Sequence, residues 1–174
     1  MPLQSKNNTL LILLGAQAFP LFPALQSAAA FKNSYAAVKN YFTAPDGFGL
    51  SNSDNVLDLF DSELNSLTQY SEITDWLEHH LKTTNTQSER TTDLFMYYVG
   101  HGGFGDHNDS YYLAIRATRK YDPFTYSIQI SALANILRTY AAELRRFLLI
   151  DACFAAAAVE HFQSPLDQVI KKKV

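Results

Sequence analysis

Residues 10–14 read Leu-Leu-Ile-Leu-Leu, five aliphatic side chains with no polar position among them. A run like this must be covered on every side. It is far shorter than the roughly 18 to 20 apolar residues of a membrane span, and too short for a buried helix. It therefore predicts a strand packed on both faces, which is the situation of an interior strand in a parallel sheet. Lys6, the apolar run and the later "SAAA" give a superficial outline of a signal peptide. The strand reading is preferred, because the pattern beyond the run continues as an ordinary fold.

Parallel strands need long crossovers, usually helical, and the chain supplies them. Phe31, Tyr35, Val38 and Phe42 recur at helical spacing within 28–42, and "APDGFG" at 44–49 breaks the pattern. "NVLDLFD" (55–61) predicts a second strand. A second helix follows, with Ser71 as its cap and Ile73, Trp76, Leu77, His80 and Leu81 on one face. A polar loop over 83–92 leads to the third strand, "LFMYYV" (94–99), then to a loop at 100–109 and one or two short strands in 110–118. Ser131 caps a third helix facing inward through Leu133, Ile136, Leu137, Tyr140 and Leu144. "FLLID" (147–151) is the fourth strand, and the alanines of 155–158 start a fourth helix. The alternation predicts an α/β fold, a mostly parallel central sheet flanked by helices.

Composition narrows the functional classes. The 174 residues fit one domain, 1–174, and are 47% hydrophobic and 18% charged, as in ordinary globular proteins. A net charge of −3 gives no electrostatic footprint for nucleic acid, and the three lysines at 171–173 read as a solvated tail. The single cysteine excludes an internal disulfide and a multi-cysteine zinc cluster, and fits a reducing, cytoplasmic compartment. No cofactor is expected. "GHGGFG" lacks both the strand–helix setting of a dinucleotide loop and the lysine of a phosphate loop. "HGGFGDHND" has metal-ligating residue types without a preorganised scaffold, and His79 and His80, on a helix, read as a solvated face or a satisfied partial burial.

Open parallel sheets bind ligands beyond the carboxyl ends of their strands. His101 lies just past the third strand and Cys153 just past the fourth, so both emerge on that edge. A thiol attacks an acyl group as thiolate, which a nearby histidine and a helix N-terminus favour. Gly100, Gly102 and Gly103 leave room for a substrate and for a backbone N–H to approach an oxyanion.

With "MYYVGHGG" followed by "LLIDACFA", the chain resembles the caspase-like cysteine peptidases of clan CD, which comprise caspases, metacaspases and bacterial relatives. In that family an apolar strand ends in His-Gly and a later one in x-Ala-Cys or Asp-x-Cys, about 50 residues on; here the interval is 52. "LLILLGA", "VLDLFD" and "YYLAIRAT" resemble the family's first strand, second strand and short hairpin. The resemblance implies a three-layer caspase-like fold and an endopeptidase. Cys153 would be the nucleophile and His101 the general acid and base, with the N–H groups of Gly102 and Cys153 holding the oxyanion. Asp151, two before the cysteine, would bind the residue preceding the scissile bond. The family's Asp at this position goes with Arg or Lys, which would pair a carboxylate at a pocket floor. Asp106 and Asp109 would add negative charge. The implied partner is a protein or peptide substrate, with no nucleic acid and no membrane, in a regulated, self-processing setting such as antiviral defence or programmed cell death.

Two departures stand out. Ala155 and Ala156 occupy positions where the family usually has Gly or Ser. A full caspase-like domain also has about six core strands, whereas four main strands are predicted here and the small-subunit strands are missing. An open edge is a liability, so a small-subunit chain or a second copy is expected there. A catalytically weak or inactive interaction module is the alternative. A flavodoxin-like ligand binder would share the alternation but has no use for the paired motifs.

Overall fold

The computed structural model describes residues 8–50, 52–83, 91–105 and 111–162. In chain order the elements are β1 (Thr9–Gly15), α1 (Ala29–Thr43), a 3-10 turn (Ser53–Asn55), β2 (Val56–Asp58) and α2 (Ser66–Thr83). There follow β3 (Asp93–Val99), β4 (Gly102–Phe104), β5 (Tyr111–Leu113), β6 (Ile128–Gln129) and α3 (Ile130–Tyr140). The last are β7 (Arg145–Asp151), a 3-10 turn (Ala155–Ala158) and α4 (Val159–Phe162).

The unbroken apolar run does what its composition requires. Every residue of β1 is buried, and the strand is paired in parallel on both sides, to β2 and β3. β7 adds in parallel to the far side of β3, giving the order β2-β1-β3-β7. Side chains alternate between two layers. Leu11, Leu13, Phe95, Tyr97 and Val99 pack against Phe31, Tyr35, Val38 and Phe42 of α1. Leu10, Ile12, Leu14, Leu94, Met96 and Tyr98 pack against Ile73 and Leu77 of α2 and Leu133 and Leu137 of α3. The result is an α/β fold in three layers, with α1 on one face and α2 and α3 on the other.

Several boundaries differ from the sequence reading. α2 starts at Ser66, not Ser71, because Asn65 takes the cap. Its side chain accepts the Thr68 N–H at 2.9 Å, while Ser71 lies inside the helix with its hydroxyl on Asp75. α3 starts at Ile130 with no side-chain cap and stops at Tyr140, so Ser131 is helical and Leu144 packs from the turn beyond. β2 is shorter than 55–61, since Asp61, at φ 55°, turns the chain away. β7 begins two residues early, where Arg145 lies opposite Asp93 and pairs with it at 2.7 Å through Nε. Within the expected 100–109 loop, Gly102–Phe104 forms β4, which pairs antiparallel with β5. With β6 it makes a small second sheet. Asp106, Asp109 and the lysines at 171–173 lie outside the described residues. No helix among the described residues is long and apolar enough to cross a membrane.

Candidate active site

β3 and β7 run side by side in a register that sets Val99 opposite Asp151, and the Gly100 N–H closes the ladder on the Asp151 carbonyl at 3.2 Å. His101 lies two residues past Val99, and Cys153 two past Asp151. The two therefore leave neighbouring strands at the same level of the same sheet edge, as the sequence reading expected. Among the described residues no hydrogen bond joins the His101 ring to the Cys153 thiol, which is exposed.

The imidazole is held from three sides. Phe19 and Phe31 each lie 5.1 Å from it, centroid to centroid, and Nε2 is 2.8 Å from the Gln26 carbonyl oxygen. A carbonyl only accepts, so Nε2 carries the proton and the neutral ring leaves Nδ1 as its acceptor. The main chain is fixed as well, because the His101 carbonyl receives the Ala114 N–H at 2.8 Å. Strand order reverses between β1 and β3, and ligands of open α/β sheets enter at such a point. Here that place is packed by Ala16, Phe19, Tyr112 and Ala114, with Phe31 beside them. A flavodoxin-like reading loses its crevice.

Gly102 is where the His101 hairpin meets the Cys153 turn. A Cβ there would stand 2.1 Å from the Tyr111 hydroxyl and 2.7 Å from the Cys153 carbonyl oxygen, so only glycine fits. The Tyr111 hydroxyl itself donates to that carbonyl at 2.6 Å. In the β4–β5 register Gly102 faces Leu113, next to the bonded His101–Ala114 pair. Bonded and non-bonded pairs alternate in an antiparallel ladder. The Gly102 N–H is therefore directed away from β5.

Asp151 ends β7 on the α1 face, where the Tyr97 hydroxyl donates to it at 3.3 Å. Burial first, and then the Asp151 charge, push the Tyr97 phenol up to about 12. The carboxylate is exposed at the open edge rather than buried at a pocket floor, and no ion pair engages it among the described residues. A group that keeps its hydration needs no resident cation.

The alanine run also differs from expectation. It forms a 3-10 turn, and α4 covers four residues, so no long helix dipole stands behind the thiol among the described residues. The left-handed backbone is at Phe154 (φ 60°), not at Ala155 or Ala156. Phe154 is exposed and lies 5.6 Å from Phe104, with which it forms an aromatic pair. Beyond it, Leu148, Ile150, Ala155, Ala156, Val159 and Phe162 line an apolar groove of about 460 Å³ beside β7.

Sequence reasoning missed Phe19, Gln26, Tyr98 and Tyr111. One signal was present: buried tyrosines must place their hydroxyls, and "MYYV" and "YYL" put four of them in strands next to the site. His80 is accounted for locally, with Nδ1 2.9 Å from the Trp76 carbonyl and its ring against the indole. Among the described residues no group of three or more His, Cys, Asp or Glu could hold a metal ion. No protein-family model matches the chain, and no curated protein matches it either.

Proposed function

We propose that this chain is a caspase-like cysteine endopeptidase that hydrolyses peptide bonds after Arg or Lys. The observation that carries the reading is the matched exit of His101 and Cys153 from paired strands, with the imidazole proton committed to Gln26 so that Nδ1 is left to accept. Catalytic hydrogen bonds often form only when substrate binds, and an exposed thiol is open to one.

In the reaction, Nδ1 of His101 takes the thiol proton and the Cys153 sulfur attacks the scissile carbonyl carbon. The oxyanion lies against the N–H groups of Gly102 and Cys153. Collapse breaks the C–N bond as His101 passes its proton to the departing amine, leaving a thioester. A water then gives a proton to His101 and its oxygen to the acyl carbon. The acid departs and the thiol regains its proton. Asp151 receives the guanidinium or ammonium of the preceding residue.

β7 is open on the side away from β3, and Phe147 and Leu149 are 41% and 46% exposed on it. We take this edge to receive a small-subunit chain or a second copy. The same apolar edge favours a second reading, an inactive interaction module. Fluorogenic peptides ending in Arg, Lys or Asp separate the two, assayed on wild type and Cys153→Ala with and without a partner chain. The peptidase reading expects cleavage after Arg or Lys that is abolished in Cys153→Ala. Cleavage of none of them, or equal cleavage by the variant, refutes it. Cleavage after Asp refutes the role given to Asp151.

A further inference from the structure

Two buried phenols end on the main chain of the two residues that the proposed reaction needs. Tyr98, in β3, has no exposed surface, and its hydroxyl lies 2.7 Å from the His101 carbonyl oxygen and 2.8 Å from that of Ala114, sharing one proton between two acceptors. Tyr111, in β5, is 2% exposed and donates to the Cys153 carbonyl at 2.6 Å. We infer that Tyr98 and Tyr111 are paired positioning residues that set how the His101 imidazole and the Cys153 thiol face one another, an inference that rests on the peptidase reading.

The geometry makes β5 a strut. Its carboxyl end is tied to His101 twice, through the Ala114 N–H and through the Tyr98 hydroxyl that His101 and Ala114 share. Its amino end is tied to Cys153 through Tyr111. Without these ties the two side chains would sit on segments with little stiffness of their own. Glycines flank His101 on both sides, and Cys153 lies in an exposed turn. The bonds to the His101 and Cys153 carbonyls are part-buried, where a hydrogen bond is stronger than in open water, and removing the hydroxyl leaves each carbonyl short of that donor. Burial drives the Tyr98 phenol well above its ordinary range and Tyr111 up to about 12, so both donors keep their protons at neutral pH. The collision that Gly102 avoids is with the Tyr111 hydroxyl, which shows how closely hairpin and turn are locked.

The test needs no substrate. Cys153 is the chain's only cysteine, so alkylation by iodoacetamide, followed by intact mass against pH, reports on one thiol. His101→Ala measures how much of its reactivity depends on the imidazole. Tyr98→Phe, Tyr111→Phe and the double variant keep the rings and remove the hydroxyls. The expected result is a severalfold loss of the His101-dependent rate near neutral pH in each single variant. The double variant should fall to the level of His101→Ala, with a cooperative melt retained. Folded variants with the wild-type profile overturn the positioning role and leave the dyad standing. Identical profiles for wild type and His101→Ala overturn the dyad itself, and the brace with it. If Tyr98→Phe loses its cooperative melt, Tyr111→Phe carries the test. If both lose it, the phenols are structural and the inference fails.

Discussion

Gly102 has little latitude, because two separate segments, β5 through Tyr111 and the Cys153 turn, meet in the space where its side chain would be. Gly102→Ala forces either the Tyr111 ring or the Cys153 turn to move, and the expected cost is about 1–3 kcal/mol, read as a lower denaturation midpoint together with loss of any peptidase activity. Phe154 makes a different prediction. Its left-handed backbone is tolerable for an unbranched side chain but poor for a β-branched one. Phe154→Val should destabilise by about 1–2 kcal/mol, while Phe154→Gly stays near wild type; equal melting temperatures would show that the turn relaxes freely. Residues with a visible relation to a strand end, His101, Cys153 and Asp151, were legible in the sequence. Gln26, Tyr98 and Tyr111 were not, because a bond to a main-chain carbonyl has no period and no composition. Only the fold tells which carbonyl a tyrosine will find.

The elements divide along a similar line. Strands buried on both faces announce themselves, as β1 and β3 do, and β7 follows from its apolar run although none of its residues is buried. Helix starts were less legible where the chain offers several capping residues, as with Asn65 and Ser71 ahead of the same apolar face. β4 could not be read at all, since a strand containing Gly102 and Gly103 has little strand propensity of its own. It forms because two tyrosine rings of β5 lie against those glycines. β7 is the element proposed above to receive a partner, and its exposed α1-side residues give the test. Leu149→Lys should leave stability within about 0.5 kcal/mol of wild type and should abolish self-association or small-subunit capture in size-exclusion chromatography with light scattering. Undiminished association would move the interface elsewhere.

At the scale of the whole molecule, the tyrosines govern the alkaline limit. Tyr70, Tyr97 and Tyr111 are each pushed up to about 12, and Tyr98 is also raised, in every case chiefly by burial. The unfolded chain releases these protons near pH 10, whereas the folded one holds them longer. The folded state therefore binds more protons between about pH 10 and 12, and stability falls as pH rises through that window. It is fully present below it. Denaturant midpoints should be flat up to about pH 9 and drop steeply above 10, and a flat profile to pH 12 would contradict the burial of these phenols.

Strand order carries a consequence for timing. The sheet is built as β2-β1-β3-β7, so the histidine's strand can be seated by everything made before it, while the cysteine's strand joins last and leans on β3. Chains are synthesised from the amino end, and folded segments can form as they emerge. During that interval the His101 imidazole has its place and Cys153 has not yet been set beside it. On the peptidase reading proposed above, seating β7 on β3 is what brings Cys153 level with His101, so the docking of that strand doubles as the moment of arming.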